Sequence, residues 1–449
     1  MLEHSTSAAT LKGSPNHVEN VAAAQPFSRR FFDQTNKIPR NIFLHAYLGA
    51  CLFVIIAIFT ILAIYWGSLW KTPVQTIPGW VVDFDTGVIG RTVVQGMTSG
   101  PLPGSRVAWT AVNASQFSLS QLLNAIHEQK TWVAVVINEG ATARLQSSLA
   151  TPSASYNGSD AITVYAEEAR NENAFRNLVR PSVEATLTTI CQSFASQSAN
   201  NLVSSSNITS VLSTSPQTIT MPIWYTLDNL IPFNVPVATA VTFVGLIYQY
   251  ILTFFVVSAG FAAREVSGLN RHLTLRSLIA VRFISSLGSF FIIALFYSFL
   301  SLAFLVKFDR HYGSSGFVIF WMINWLEMSS TGLALDAMMP ILTLRFIPFF
   351  MLLWVMVNVS VALYPLEVLP SIYRYGYAAP FYNVSRAIRS IVFGTKNTLG
   401  LNFGVLIAWT AISCITMPLI QRYIRRKAII AERVQLETQV PIVPNMREA

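Results

Sequence analysis

Apolar stretches of about twenty residues recur along this chain, and that repetition constrains the fold more than any other feature. At 1.5 Å rise per residue, ~20 helical residues cross a ~30 Å hydrocarbon layer, inside which each backbone N–H and C=O must be satisfied within its own segment. Six stretches have the length: 43–66, 238–262, 283–306, 317–339, 346–363 and 403–420. The first is too long and too far from the start for a cleaved signal peptide, so it is expected to stay as an anchor. Pro340, which cannot continue helical hydrogen bonding, is expected to separate the fourth span from the fifth. The chain is 53% hydrophobic and only 11% charged, against roughly 25% charged in soluble domains.

Basic residues set the orientation, because short loops rich in Lys and Arg stay in the cytosol. With both termini cytosolic, sixteen Lys/Arg fall in cytosolic segments, four of them (Arg264, Arg271, Arg276, Arg282) in the loop after the second span. Six fall in the short outside loops: Lys307, Arg310, Arg374, Arg386, Arg389 and Lys396. The formal charge of +9 is therefore read as membrane topology. No Lys/Arg run interleaved with aromatics points to nucleic acid. Residues 1–42 and 421–449 are expected as cytosolic tails, largely without order.

Residues 67–237 have a different texture and are expected to form an extracytoplasmic α+β domain inserted between the first two spans. β-Branched and aromatic runs predict strands at 79–84, 106–112, 131–137 and 161–165. Leu119, Leu122, Leu123 and Ile126 fall at helical spacing behind Ser118, a candidate cap. A longer helix is expected over 172–197, and the Ser/Thr-rich 204–220 reads as a solvated stalk. Asn113, Asn157 and Asn207 head Asn-x-Ser/Thr acceptors for glycosylation. The expected architecture is thus a polytopic α-helical membrane protein of six transmembrane helices carrying an inserted extracytoplasmic domain.

Catalytic chemistry is missing from the pattern. There is no Gly-x4-Gly-Lys-Ser/Thr run to cradle phosphates and no Gly-x-Ser-x-Gly nucleophile turn. The six histidines, His4, His17, His45, His127, His272 and His311, are isolated, and Cys51, Cys191 and Cys414 fit no metal spacing. Asp83, Asp85, Glu139, Asp160, Glu167 and Glu168 fit no calcium loop and read as charges at strand ends. The expectation is no enzyme, no metal and no cofactor. Of the cysteines, only Cys191 is expected to face an oxidising space, where it would be open to an intermolecular bond.

Polar residues within spans are the functional candidates. Asn324, Glu327 and Thr331 lie three and four apart, so they form one stripe on the fourth span, with Glu327 near the midplane. Such a stripe either faces a substrate path or fixes packing by hydrogen bonds to Asn358 or Gln249. Asp336 points to the opposite side and is expected near the cytosolic headgroups. Residues 364–401, broken by Pro365, Pro370 and Pro380 and rich in tyrosine, are expected as an interfacial segment with a re-entrant or surface-lying helix.

The layout resembles the membrane subunits of type-two ABC exporters, which place a proline- and aromatic-rich segment before the last helix. The runs Trp325–Ser330, Asn358–Ser360, Pro380–Asn383 and Trp132–Ile137 are similar to those of the fungal nitrosoguanidine-resistance membrane proteins, which are related to bacterial phage-infection proteins. That resemblance implies a permease-like role in toxic-compound resistance or lipid export at a plasma membrane. Without an ATPase of its own, the chain would need a separate ATPase subunit, contacting residues 263–282. Membrane lipids, signalling partners and a second copy are the other candidate partners. The competing reading is a non-transporting scaffold or sensor in lipid homeostasis and stress signalling.

Overall fold

A computed structural model describes residues 30–100, 105–202 and 208–439. The chain divides into two compact units after Phe59. In the first, helix α1 (Lys37–Ala57) carries its charges, Lys37 and Arg40, near its start and is apolar on every side from Ala46 on, and Leu48 and Leu52 stay exposed, as suits a helix solvated by hydrocarbon. The second unit opens with the short α2 (Ala63–Leu69) and holds the rest.

A five-stranded mixed sheet follows, built from β1 (Ile77–Asp83), β2 (Val107–Val112), β3 (Val133–Ile137), β4 (Ile162–Ala166) and β5 (Tyr225–Asn229) in the order β2-β1-β3-β4-β5. β1 runs parallel to both β2 and β3, with Val81 opposite Ala111 and Val135. β3 meets β4 antiparallel, Val135 opposite Val164, and β5 joins β4 in parallel. All five β3 residues are buried, because helices cover both faces. Alternation sends Val133, Val135 and Ile137 into one core with α3 (Val88–Thr98), while Ala134 and Val136 join Leu122 and Ile126 of α4 (Leu119–His127) in the other. Ser118 caps α4 in a capping box with Gln121, which satisfies two donors at the helix start. α5 (Ala141–Ala150), α6 (Glu172–Ala174), and α7 (Arg180–Leu202) after a π turn, complete the packing.

Several expectations change here. The four strands expected from sequence are present, each within two residues of its expected ends, but β5 was not foreseen. Residues 208–220 are no stalk: they form α8 (Ile208–Thr214) and α9 (Gln217–Thr220), which bury Val211 and hold Thr218 by a 2.9 Å hydrogen bond to Ser148. Cys191 is buried inside α7, so it cannot form the intermolecular bond considered for it, and burial pushes its thiol up to about 12. Asp83 and Asp85 close the turn after β1, accepting from the amides of Asp85 and Thr86 and of Thr142 respectively.

The remaining elements are α10 (Gly245–Val266, entered through a π turn), α11 (Leu269–His272), α12 (Leu275–Ala303), α13 (Asp309–Tyr312), α14 (Ser315–Val359), α15 (Pro380–Phe393) and α16 (Leu399–Gln439). Among the described residues, five helices are long and apolar enough to cross a membrane: Lys37–Leu69, Ala240–Val266, Leu275–Ala303, Ser315–Val359 and Leu399–Gln435. Helix α14 contains one non-helical residue, Thr343, at φ 59° and ψ 169°. The break expected at Pro340 thus lies three residues later. α15 is the larger departure. It was expected as a re-entrant or surface-lying helix; it is buried along almost its whole length against the bundle, Ala169 and Phe233, which overturns the surface-lying alternative.

Candidate functional site

Each sequence-predicted polar residue of the bundle has a definite place. Gln249 of α10, one of the two partners considered for the stripe, donates from Nε2 to Asn324 Oδ1 of α14 at 2.7 Å. Asn324 in turn donates to the Phe320 carbonyl at 2.8 Å. Thr331 turns its hydroxyl back on the Glu327 carbonyl at 2.8 Å, so it does not serve the carboxyl. The Glu327 side chain is fully buried, and neither carboxyl oxygen has a hydrogen-bond partner. Gln249 Oε1 and the Tyr250 hydroxyl are unpartnered as well. An ionised carboxylate without a partner at this depth is an uncompensated charge in an apolar core. The helices are close here: a Cβ on Gly332 would overlap Thr253 of α10 and Phe290 of α12.

Asn358 is not part of that cluster. Its Oδ1 accepts from the Phe381 amide at 3.2 Å, satisfying an orphan donor in the first turn of α15. Pro380 stands ahead of it at the helix start, where a missing N–H costs nothing.

Asp336, expected near headgroups, is buried and holds two arginines. Arg264 of α10 lies 3.3 Å and Arg282 of α12 2.9 Å from its Oδ1. Arg282 also donates to the Asp336 carbonyl and to Gln421 of α16, each at 2.5 Å. Two of the four arginines assigned to a cytosolic loop are therefore helical and buried. Counting charge for topology hides this, since it carries no information on pairing.

A second polar region joins the sheet to α15. Arg389 donates to the Ala169 carbonyl at 3.0 Å and makes a 2.5 Å ion contact with Glu172. Burial pushes the Glu172 carboxyl up, but Arg389 outweighs it and holds the group below its ordinary value. Arg170 stacks 3.6 Å from the Trp132 ring and donates to the Thr131 carbonyl, and burial lowers its guanidinium to about 10. Burial raises Glu167, whose carboxylate meets His127 at 3.0 Å. A cavity of about 90 Å³, room for a few waters, is lined by Trp132, Arg170, Arg389, Tyr377 and Tyr382 among others. Arg170, Glu172 and Arg389 could be found in the sequence only as charges beside apolar runs.

Among the described residues no group of His, Cys, Asp and Glu could hold a metal ion. The helices and their intramembrane polar groups define a multi-pass membrane protein carrying a small mixed sheet. Its sequence places it in a family: the family model described as "Protein of unknown function (DUF3533)" matches residues 50–415, so the chain belongs to that family. It is also similar to the "Uncharacterized endoplasmic reticulum membrane protein YJR015W" of Saccharomyces cerevisiae, 26% identical over 461 residues, covering 92% of this chain and 88% of the yeast protein. No solved structure matches the chain.

Proposed function

We propose that this protein is a permease-like membrane protein that moves or extrudes an amphipathic compound or a lipid, with no catalytic chemistry of its own. The observation behind the reading is the Glu327 carboxyl, fully buried and unpartnered beside the Gln249–Asn324 bond. So costly a group within a span is typically retained where an ion, a proton or a polar headgroup passes. This reading treats the Thr343 break as the turn between two spans, which makes six. A 45-residue helix would be about twice the ~30 Å layer. Both termini are then cytosolic and the sheet lies outside, where exposed Asn113 and Asn157 would carry glycans; Asn207 lies outside the described residues.

The plasma membrane is the location implied by the likeness to nitrosoguanidine-resistance proteins, whereas the yeast relative's name gives the endoplasmic reticulum. A separate ATPase subunit would supply the driving force. The scaffold reading draws on the complete burial of Gln249, Asn324, Glu327 and Thr331, which leaves the stripe closed to solvent. Retention of a radiolabelled alkylating drug and a fluorescent phospholipid, in cells with and without the protein, separates the two. Lower retention that disappears on ATP depletion supports partner-driven transport. Unchanged retention beside altered drug survival assigns the scaffold.

A further inference from the structure

At the end of the bundle where α10, α11, α14 and α16 meet lies a cavity of about 270 Å³. That is the liquid volume of roughly nine waters, enough for a phosphate with part of its glycerol. Four guanidiniums line it, from Arg264, Arg271, Arg282 and Arg425, against one lining carboxylate, Glu265. Asp336 behind the wall occupies Arg264 and Arg282, and Glu265 accepts from the Asn270 amide. Arg271 and Arg425 are left to give the cavity its positive charge.

Arg425 is the informative one. Its Nη2 donates to the Leu273 carbonyl at 2.8 Å, but Nη1 is buried with no acceptor. A buried charged donor without a partner is a costly arrangement that an anionic oxygen would relieve. Phe261, Pro340 and Ile424 supply an apolar wall beside it. Arg422, Arg426 and Lys427 stand exposed on the same turns of α16, where they would draw an anionic membrane surface towards the cavity.

We propose that this cavity binds the headgroup of an anionic phospholipid, with Arg425 as its principal phosphate donor and Arg271 at the rim. The bound headgroup would sit beside the Asp336 ion pairs that join α10, α12 and α14. The site goes beyond the transport reading and holds whether or not the chain moves a substrate.

The test is native mass spectrometry of the full chain in detergent with dioctanoyl phosphatidic acid, dioctanoyl phosphatidylcholine and inorganic phosphate. Phosphatidic acid is expected to bind at least about tenfold more tightly than phosphatidylcholine, with Arg425→Gln removing about tenfold and Arg425→Lys restoring part of it. Arg426→Gln, on the exposed face, is expected to change binding by less than about twofold. Should Arg425→Gln prove unfolded by its melting curve, Arg271→Gln takes its place with a smaller expected loss. Equal losses from Arg425→Gln and Arg426→Gln would reduce the effect to general basic attraction and overturn the site. Inorganic phosphate binding as tightly as phosphatidic acid would overturn the lipid as the source. Arg425-dependent copurification of an acidic protein, with no lipid selectivity, would assign the cavity to a partner instead.

Discussion

Arg282 donates to the carbonyl oxygen of Asp336, an acceptor that Pro340, four residues on and lacking an N–H, leaves without its helical donor. The same guanidinium neutralises the Asp336 side chain. One arginine thus repairs the backbone at the proline and compensates a buried charge.

Replacing Asp336 by Ala should therefore be costly, since it strands Arg264 and Arg282 in an apolar setting. Loss of one partner of a buried ion pair typically costs ~3–5 kcal/mol. The melting temperature in detergent should fall steeply, and the double variant Asp336→Ala with Arg282→Met should recover part of the loss.

The Arg389–Glu172 contact gives stability a definite dependence on pH. The folded state holds Glu172 below its ordinary value, so the contribution is present above that ordinary value and is lost as pH falls through the lower folded one. Glu167 acts oppositely: its folded value is raised, so its contribution is present below the ordinary value and lost as pH rises through the folded one. Melting curves across the acid range should lose part of their low-pH decline in Glu172→Gln, whereas Glu167→Gln should gain most at neutral pH.

Cys191 should resist maleimide in the native protein and react only once α7 unfolds, because it is buried and its thiol lies near 12. A variant carrying Cys191 alone, with Cys51 and Cys414 changed to Ser, gives a clean readout. Ready labelling of native membranes would contradict the packing of α7.

Gly332→Val should separate α14 from α10 and α12, since its side chain would meet Thr253 and Phe290. Overpacking of this kind costs ~1–3 kcal/mol, and Gly332→Ala should cost less. Gly288, with open space where a Cβ would stand, should accept Ala with little change in melting temperature.

Much of the fold was legible where one physical demand dominated. The run at Val133–Ile137 reads as a strand because both of its faces are covered, and the long apolar helices read as spans for the same reason of surroundings. Elements whose burial depends on distant partners were not legible. Among the described residues β5 pairs with β4 alone, and its closing Asp228 and Asn229 read as a turn, which leaves Tyr225–Leu227 too short a run to announce a strand. α15 looks interfacial by composition, yet the bundle helices and the turn after β4 at Ala169 bury it. Within the site, Gln249 and Asn358 were alternative partners for the stripe, and the sequence had no means to choose between them; Gln249 bonds Asn324, whereas Asn358 turns to α15. Arg282 was hidden because it was assigned to the expected loop, whereas it lies in the second turn of α12, and Asp336 was placed by helical angle without knowledge of its counter-ions.

Glu327→Gln keeps shape and hydrogen-bonding capacity while removing ionisation, so it tests the central claim most directly. The measurement is protein-dependent movement of a fluorescent phospholipid out of cells, before and after ATP depletion, for wild type and Glu327→Gln at equal expression and melting temperature. The account predicts a loss of at least about tenfold, because an ionisable group buried within a span marks the transport path by default. Wild-type movement in the Glu327→Gln protein would contradict it and leave the carboxyl a packing residue.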